Sequence, residues 1–527
     1  MSELDFTKSS PIMVDEVFKN LVDQFSDPFT CLRELVQNAM DAGTEQIEVK
    51  TRYLSDPGGV CLEIRDFGEG MNRDIIDGKL TRLFSSDKEN DLTKIGKFGI
   101  GFVSVFSLKP ELVTVDTGRD GEFWRIAFDG GTDYQLFELH EPLEGTSVKI
   151  YKLLNYEDLE EFDERCAQTI SRWCRHSHID ISFNGETINR PMEVNSDCRI
   201  QISDPLGLFD VGLSNANPSD YGFYNTGLTL TEGESEEHPG VTFKILSNHL
   251  EHTLTRDAVI VDENYHKVMA RLKQIVEEDL FQKVCQDMSS DEQTRETCAA
   301  LVFDYLANRL QSLTRTQLSR PFLRNIDGSE ILLKDLIKCA KKEQRIFTTD
   351  TESGLSERAL REDIPVLNIG EGSATAQLLS SLLSVPVVRL EANLAVSRVV
   401  ERAPGLKSIT SSIQAMLREG GILVSKVVAV EYPDAYSSSA NPPCTFALGP
   451  DRLVRRFRKG YWASKYLLPQ QLLLDTHHPM VRKALNRAEN PALAKLAAYC
   501  LCKSALLNDG LDPGTEQKLL KRLMEKN

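Results

Sequence analysis

The feature that most constrains this chain is a short amphipathic stretch followed by two glycine-rich turns. Residues 28–43, PFTCLRELVQNAMDAG, carry a helix start signal. Asp27 offers a side-chain acceptor to the first turn, and Pro28 occupies a position that needs no donor. Gly43 supplies the matching stop, because glycine tolerates the left-handed backbone that ends a helix. Between them Leu32, Leu35, Val36 and Ala39 form an apolar stripe at helical spacing. Glu34 and Asn38 stand four apart, so a carboxylate and an amide share one face. Taken alone, that pair reads as an ordinary solvated face. Two further stretches change the reading. Residues 62–71, LEIRDFGEGM, alternate like a strand and end in Asp66-x-Gly68-x-Gly70. Residues 94–108, KIGKFGIGFVSVFSL, set Gly96, Gly99 and Gly101 directly before an apolar helical run. Glycines at a helix start let backbone amides approach an anion, and the helix dipole favours phosphate there. A fourth element, Gly145-Thr146, turns into the alternating strand EGTSVKIYKL. A lone glycine-rich turn is weak, but the ordered set predicts one nucleotide site split over four segments.

Composition bounds the rest. A chain of 527 residues makes about three domains, each large enough for its own core. With 41% hydrophobic and 27% charged residues, it has the make-up of an ordinary soluble globular protein. A formal charge of −18 opposes a general nucleic-acid binder, which needs a basic footprint. No apolar run is long enough to span a membrane, and MSELDFTKSS has no leader-like apolar segment. The 11 cysteines lack paired spacing and suit free thiols in a reducing compartment, so a cytoplasmic location is expected. Cys500 and Cys502 are too close for the usual redox or zinc pair. His249 with His252, or His176 with His178, lack completing ligands, so no zinc site is expected.

In chain order, residues 5–26 read as a short strand and then a helix, with Val14, Val17, Phe18, Leu21, Val22 and Phe25 turned inward. Strands are expected at 46–53, 112–116, 123–128 and 147–151, and a helix from about 157 to 176. Residues 72–95 form a polar connection. Residues 204–222 read as turn-rich. From 331 to 390 short strands alternate with helices, which predicts a small α/β unit. RIFTTDTESG within it lacks the GxxxxGK[ST] pattern, so no second nucleotide site is expected. Beyond Pro491, Leu493, Leu496, Ala497, Cys500, Leu501 and Leu507 recur at helical spacing.

The helix with Glu-x-x-x-Asn, then Asp-x-Gly-x-Gly, then GxxGxG resembles the GHKL superfamily of ATP-binding domains. That superfamily is shared by type II topoisomerases, histidine kinases, mismatch-repair clamps and heat-shock protein 90 chaperones. The resemblance implies a Bergerat-type α/β sandwich that binds ATP with Mg2+. It implies that Asn38 holds magnesium and that Asp66 accepts from the adenine amine. Gly68, Gly70 and Met71 would line the adenine, and Thr146 would support its end. Gly96, Phe98, Gly99, Ile100, Gly101 and Phe102 would wrap the phosphates. Glu34 would be the general base; histidine kinases usually lack a carboxylate there, so it favours hydrolysis over transfer to a protein histidine. In this superfamily residues 72–95 would be the lid, shorter here than in the heat-shock protein 90 chaperones.

Later stretches resemble heat-shock protein 90 more narrowly. Thr255-Arg256-Asp257 is similar to the catalytic loop of its middle domain, so Arg256 would reach the γ-phosphate. The family often places a second polar contact four residues on, where this chain has Ile260. LDTHHPMVRKAL before a Leu- and Ala-rich helix resembles the C-terminal dimerisation domain of the bacterial members, while His477 and His478 read as cap or turn residues. The charged linker and terminal Glu-Glu-Val-Asp of the eukaryotic cytosolic members are missing, which leaves docking of tetratricopeptide co-chaperones without support.

The resulting expectation is a multidomain α+β and α/β protein with an ATP-binding domain at 1–195, a middle domain at 196–410 and a dimerisation domain at 411–527. The expected function is an ATP-dependent chaperone, a homodimeric clamp on client proteins with no membrane and no nucleic-acid partner. Two alternatives stay open, a nucleotide-gated regulatory module with slow turnover and a nucleic-acid-acting clamp.

Overall fold

The computed structural model describes residues 27–56, 58–81, 100–131, 133–251, 258–419, 424–432, 443–447, 453–455 and 470–508. It also describes Phe18, Val22, Gly514, Glu516, Gln517, Leu520 and Lys521. The chain divides into two compact units, Met1–Leu280 and Phe281–Asn527.

In the first unit, Asp27 caps a 3-10 turn at Pro28–Thr30 by accepting from the Phe29 amide at 3.1 Å. The helix Cys31–Asp41 follows, and Gly43 ends it with φ +73°. Its buried face holds Cys31, Leu32, Leu35, Val36 and Ala39, so the expected stripe is the packing face. Arg33 and Glu34 are buried as well. Each such Leu or Val contributes about 1.5–3 kcal/mol when fully buried, which is what holds a short helix in place.

That helix lies in a layer against an eight-stranded sheet. The strands are β1 (Gln46–Leu54), β2 (Gly59–Asp66), β3 (Leu112–Arg119), β4 (Glu122–Phe128), β5 (Tyr134–Glu138), β6 (Gly145–Leu153), β7 (Asp180–Phe183) and β8 (Glu186–Thr187). Their order is β5-β4-β3-β6-β2-β1-β7-β8. All pairings are antiparallel except β1 with β7. The helix Leu159–Cys174 packs beside Cys31–Asp41 and adds Phe162, Cys166, Ile170 and Cys174 to the core. From the sheet side Ile47, Val49, Leu62, Ile64, Val113, Val115, Ile126 and Ile150 complete it. This is the expected two-layer α/β sandwich.

Strand β5 was not anticipated. It is a sheet edge in which Tyr134 and Leu136 pack against the core, but the exposed Phe137 stands on the outer face and breaks the apolar–polar alternation in sequence. A second sheet also corrects the turn-rich reading of 204–222. Strands β9 (Arg199–Asp204), β10 (Gly207–Leu213), β11 (Ser219–Asn225), β12 (Leu228–Ser235) and β13 (Val241–Leu246) order as β12-β11-β13-β10-β9. The Asp and Gly residues at 204–207 serve one tight turn: Asp204 accepts from the Leu206 amide, and Gly207 takes φ +146°. Flanking Phe209, Val211, Leu213 and Phe223 are buried.

In the second unit, β14 (Ile346–Thr348), β15 (Val366–Leu367) and β16 (Val387–Arg389) form a parallel sheet in the order β15-β14-β16. It alternates with the helices Leu333–Glu343, Gly354–Arg361 and Ala374–Leu383, as the pattern predicts. Further on, strands Arg398–Val399, Val424–Glu431, Gln470–Asp475 and Cys444–Phe446 make a four-stranded sheet. Helices Leu406–Glu419 and Pro491–Asn508 pack together, and both contribute to the core beside that sheet. On the last helix Ala494, Ala498, Tyr499, Leu501 and Cys502 are buried, while Leu493 is 44% and Leu496 54% exposed. The predicted stripe is therefore divided, with Leu501 in the core and Leu493, Leu496 and Cys500 outside it. The helix is apolar nearly all round, so spacing alone could not say which face the sheet takes. His478 caps the helix Pro479–Leu485 through Nδ1, which accepts from the Met480 amide at 3.2 Å.

Candidate nucleotide-binding site

The site is assembled by strand register. Asp66 at the end of β2 pairs with Thr146 of β6, and Thr146 pairs with Thr117 of β3. Three polar side chains thus stand in a row across three neighbouring strands. Asp66 is buried, and its Oδ1 accepts the Gly68 amide at 2.9 Å and the Thr146 amide at 3.2 Å. Both bonds fall on one oxygen, so Oδ2 remains as an acceptor without a partner among the described residues. Burial raises the carboxyl above the ordinary aspartate range, and the two amides pull it back only in part. The Thr146 hydroxyl lies 3.0 Å from that of Thr117, which also accepts the Met71 amide at 2.9 Å. Thr117 is fully buried and fixes both the Met71 backbone and Thr146.

Glycines allow the backbone to close this tightly. Gly70 has φ +64°, and a Cβ there would fall 2.1 Å from the Gly118 carbonyl oxygen. Gly145 has φ +74°, and its Cβ would fall 2.2 Å from the Asp66 carbonyl oxygen. Gly68 abuts the end of the Glu34 helix, where its Cβ would meet the Ala42 oxygen at 2.5 Å. The Glu69 amide donates to that same Ala42 oxygen at 2.9 Å. Thr44 completes the junction by accepting the Phe67 amide at 3.0 Å. The Asp-x-Gly-x-Gly turn is therefore docked on the C-terminal end of the helix that carries Glu34 and Asn38.

Glu34 is buried on this helix and Asn38 is half-buried one turn on. The second glycine stretch comes to the same helix, since a Cβ at Gly101 would stand 2.9 Å from Glu34 Oε2. Gly101 lies in a short helix, Ile100–Val103, that tightens into a 3-10 segment over Ser104–Leu108. The Phe102 ring belongs to the core, 5.4 Å from Phe128 and 6.2 Å from Phe106. Gly96, Phe98, Gly99, most of the expected lid and Arg256 lie outside the described residues.

Thr117 and Arg33 were not singled out from sequence. The register with Thr146 is what distinguishes Thr117 from the nearby Thr114. Arg33 precedes Glu34, is buried, stacks over Trp173 at 4.4 Å and donates to the Thr229 carbonyl of β12 at 2.9 Å. A buried arginine on an amphipathic helix carries no periodic signal of its own.

This arrangement fits a purine nucleotide. An acceptor-only carboxylate suits an exocyclic amine, and strands held this close leave a turn backbone to line a flat base. Asn38 supplies a neutral oxygen of the kind that Mg2+ takes alongside phosphates and water. Residues 26–145 match the family of histidine kinase-, DNA gyrase B- and HSP90-like ATPases. The N-terminal domain is a GHKL ATPase domain.

Among curated proteins, the chain is similar to chaperones of the HSP90 family named HtpG. It is 28% identical over 231 residues to chaperone protein HtpG of Photorhabdus laumondii, covering 37% of this chain and 36% of that protein. It is 29% identical over 201 residues to HtpG of Citrobacter koseri, covering 31% and 32%. With HtpG of Anaplasma phagocytophilum the identity is 36% over 132 residues, covering 22% and 21%. The chain spans about a third of the length of the first two relatives and about a fifth of the third. No helix among the described residues is long and apolar enough to cross a membrane.

Proposed function

We propose that this chain is an ATP-dependent molecular chaperone of the heat-shock protein 90 type, a cytoplasmic homodimer that couples ATP hydrolysis to remodelling of client proteins. The observation that carries the reading is the row Asp66–Thr146–Thr117 docked on the end of the Glu34 helix. Adenine binds against Asp66, Gly68, Gly70, Met71 and Thr146, while Gly96 to Phe102 wrap the phosphates. Asn38 would hold Mg2+, which would supply positive charge to offset that of the phosphates. Glu34 polarises the attacking water, a role supported by its closeness to Gly101, where a Cβ would stand 2.9 Å from Glu34 Oε2. Arg256 offsets charge on the γ-phosphate from a middle domain (196–410), and the 411–527 domain pairs two protomers. The exposed Leu493 and Leu496 support that pairing surface.

The test is Glu34→Ala. ATP binding by calorimetry stays near wild type, and steady-state phosphate release falls by roughly 10²-fold or more, the usual scale for a general base. Normal hydrolysis by the variant refutes the role of Glu34. Ile260, 39% exposed where the chaperone family often has a polar contact, favours a second reading as a slowly turning nucleotide-gated module. Phosphate release that stays negligible with and without an unfolded protein selects it.

A further inference from the structure

A polar hub joins the end of the helix Leu159–Cys174 to the five-stranded sheet and involves none of the nucleotide-site residues. It starts where the helix Leu159–Cys174 ends, with Arg175 and His176. Arg175 Nη2 donates to Glu232 Oε1 of β12, and the Tyr224 hydroxyl of β11 donates to the same oxygen. Tyr224 is fully buried, so this carboxylate is tied from two sides. The His176 ring stands edge-on to Tyr224, with centroids 4.9 Å apart. Its Nδ1 is 3.0 Å from the Arg190 carbonyl oxygen, and its Nε2 is 3.2 Å from Arg175 Nε and 3.3 Å from Lys244 Nζ of β13. Gly227, in the turn from β11 to β12, presses on the same residue: a Cβ there would lie 2.5 Å from the His176 carbonyl oxygen.

These contacts dictate the protonation state. A carbonyl can only accept, so Nδ1 carries the proton toward Arg190. Arg175 and Lys244 can only donate, so Nε2 must present its lone pair. The imidazole is neutral in the closed hub, where two cations face one carboxylate, Glu232. Asp210 and Asp220 act on Lys244 from farther off. A second proton on His176 would point at both cations, remove two accepted hydrogen bonds and leave three positive groups around one negative one.

We propose that His176 is an acid-sensitive clasp between the ATPase domain and the five-stranded sheet, closed while the imidazole is neutral and released when it is protonated. The sign follows from the direction of its titration. Burial, then Lys244 and Arg175, hold its pKa below the ordinary histidine value. The folded state therefore resists the proton that the open state accepts. The clasp contributes its full stability above about pH 6.5 and loses it as the pH falls through the window below that value. Glu232 is the shared anchor, and Tyr224 keeps it in place when Lys244 and Arg175 are solvated.

The experiment is hydrogen exchange by mass spectrometry on the full chain without nucleotide, at pH 7.5 and 5.5, corrected for intrinsic rates. It needs no ATP turnover, so its outcome is separate from that of the proposed function. Wild type is expected to lose protection in peptides covering β11 and β12 by up to about tenfold, the excess of protonated over neutral imidazole in the open state at pH 5.5. His176→Gln can donate to Arg190 and accept from Lys244 without titrating, and it is expected to keep its protection at pH 5.5. Lys244→Met removes one facing cation, so the closed hub resists the proton less, and the variant is expected to lose less protection than wild type between pH 7.5 and 5.5. That second variant decides the matter if His176→Gln does not fold. Equal loss in wild type and His176→Gln overturns the proposal, as does a loss that Lys244→Met leaves undiminished or a wild type that does not respond.

Discussion

Replacing Asp66 with Asn separates a binding role from a folding role, because the two use different oxygens. In the structure Oδ1 accepts from the Gly68 and Thr146 amides, and Oδ2 has no described partner. An asparagine that keeps its oxygen at Oδ1 retains both internal bonds. It also removes a buried charge whose ionisation burial disfavours. The apo protein should therefore melt within about 4 °C of wild type, the span of roughly 1 kcal/mol for a domain of this size. Nucleotide binding should respond very differently. The variant loses one charge-assisted hydrogen bond, about 1.5–3 kcal/mol, and sets an amide donor against the adenine amine, about 1–3 kcal/mol more. Together these weaken ATP by about 2.5–6 kcal/mol, or roughly two to four orders of magnitude in Kd. Calorimetric titration of ATP and a thermal melt of the apo variant measure the two effects. An unchanged Kd would refute Asp66 as the purine acceptor. A melting point lowered by much more than the expected span would refute the division of labour between the oxygens.

The same carboxyl predicts a pH dependence: its raised pKa means ATP affinity falls, as pH is lowered, at a higher pH than for an ordinary aspartate. Apo stability should move the other way across that window, because protonation removes a buried charge, and a combined pH series of titrations and melts checks both signs. Gly145→Ala forces a side chain into φ +74° and places its Cβ 2.2 Å from the Asp66 carbonyl oxygen. It should cost at least about 2 kcal/mol in urea unfolding of the apo protein. Thr117→Val keeps the shape but leaves the buried Met71 amide without its acceptor, a loss of about 1–3 kcal/mol in the same assay. Leu496→Lys alters an exposed position on the last helix, so it should leave the melt unchanged and shift a dimer toward monomer in light scattering.

Much of the site was legible before any coordinates because its chemistry is local. A proline-led helix, a strand running into Asp-x-Gly-x-Gly and a glycine-spaced helix start each announce themselves within a few residues, and each of those that is described forms where expected. Thr117 was not legible, since its importance comes from lying beside Thr146, 29 residues away. Arg33 escaped for a related reason: its partner Thr229 belongs to a different sheet, 196 residues on. Strand β5 was missed because the exposed Phe137 on its outer face breaks the alternation that Tyr134 and Leu136 begin. The strands within 204–222 were hidden by Asp and Gly at their turns, which dominate a reading by composition.

What the residue order determined by itself is the set of elements and the kinds of group at their ends, because helix caps, strand alternation and glycine turns depend on neighbours in sequence. It supplied a carboxylate and an amide one turn apart on a helix, and an aspartate at a strand end. What only the tertiary structure decided is which of these meet. Antiparallel register brought Asp66, Thr146 and Thr117 into one row, and close packing set Gly68 on Ala42 and Gly101 on Glu34. The hub around His176 belongs wholly to that second category, because its polar groups come from three strands and a helix end, and no one of them signals the others.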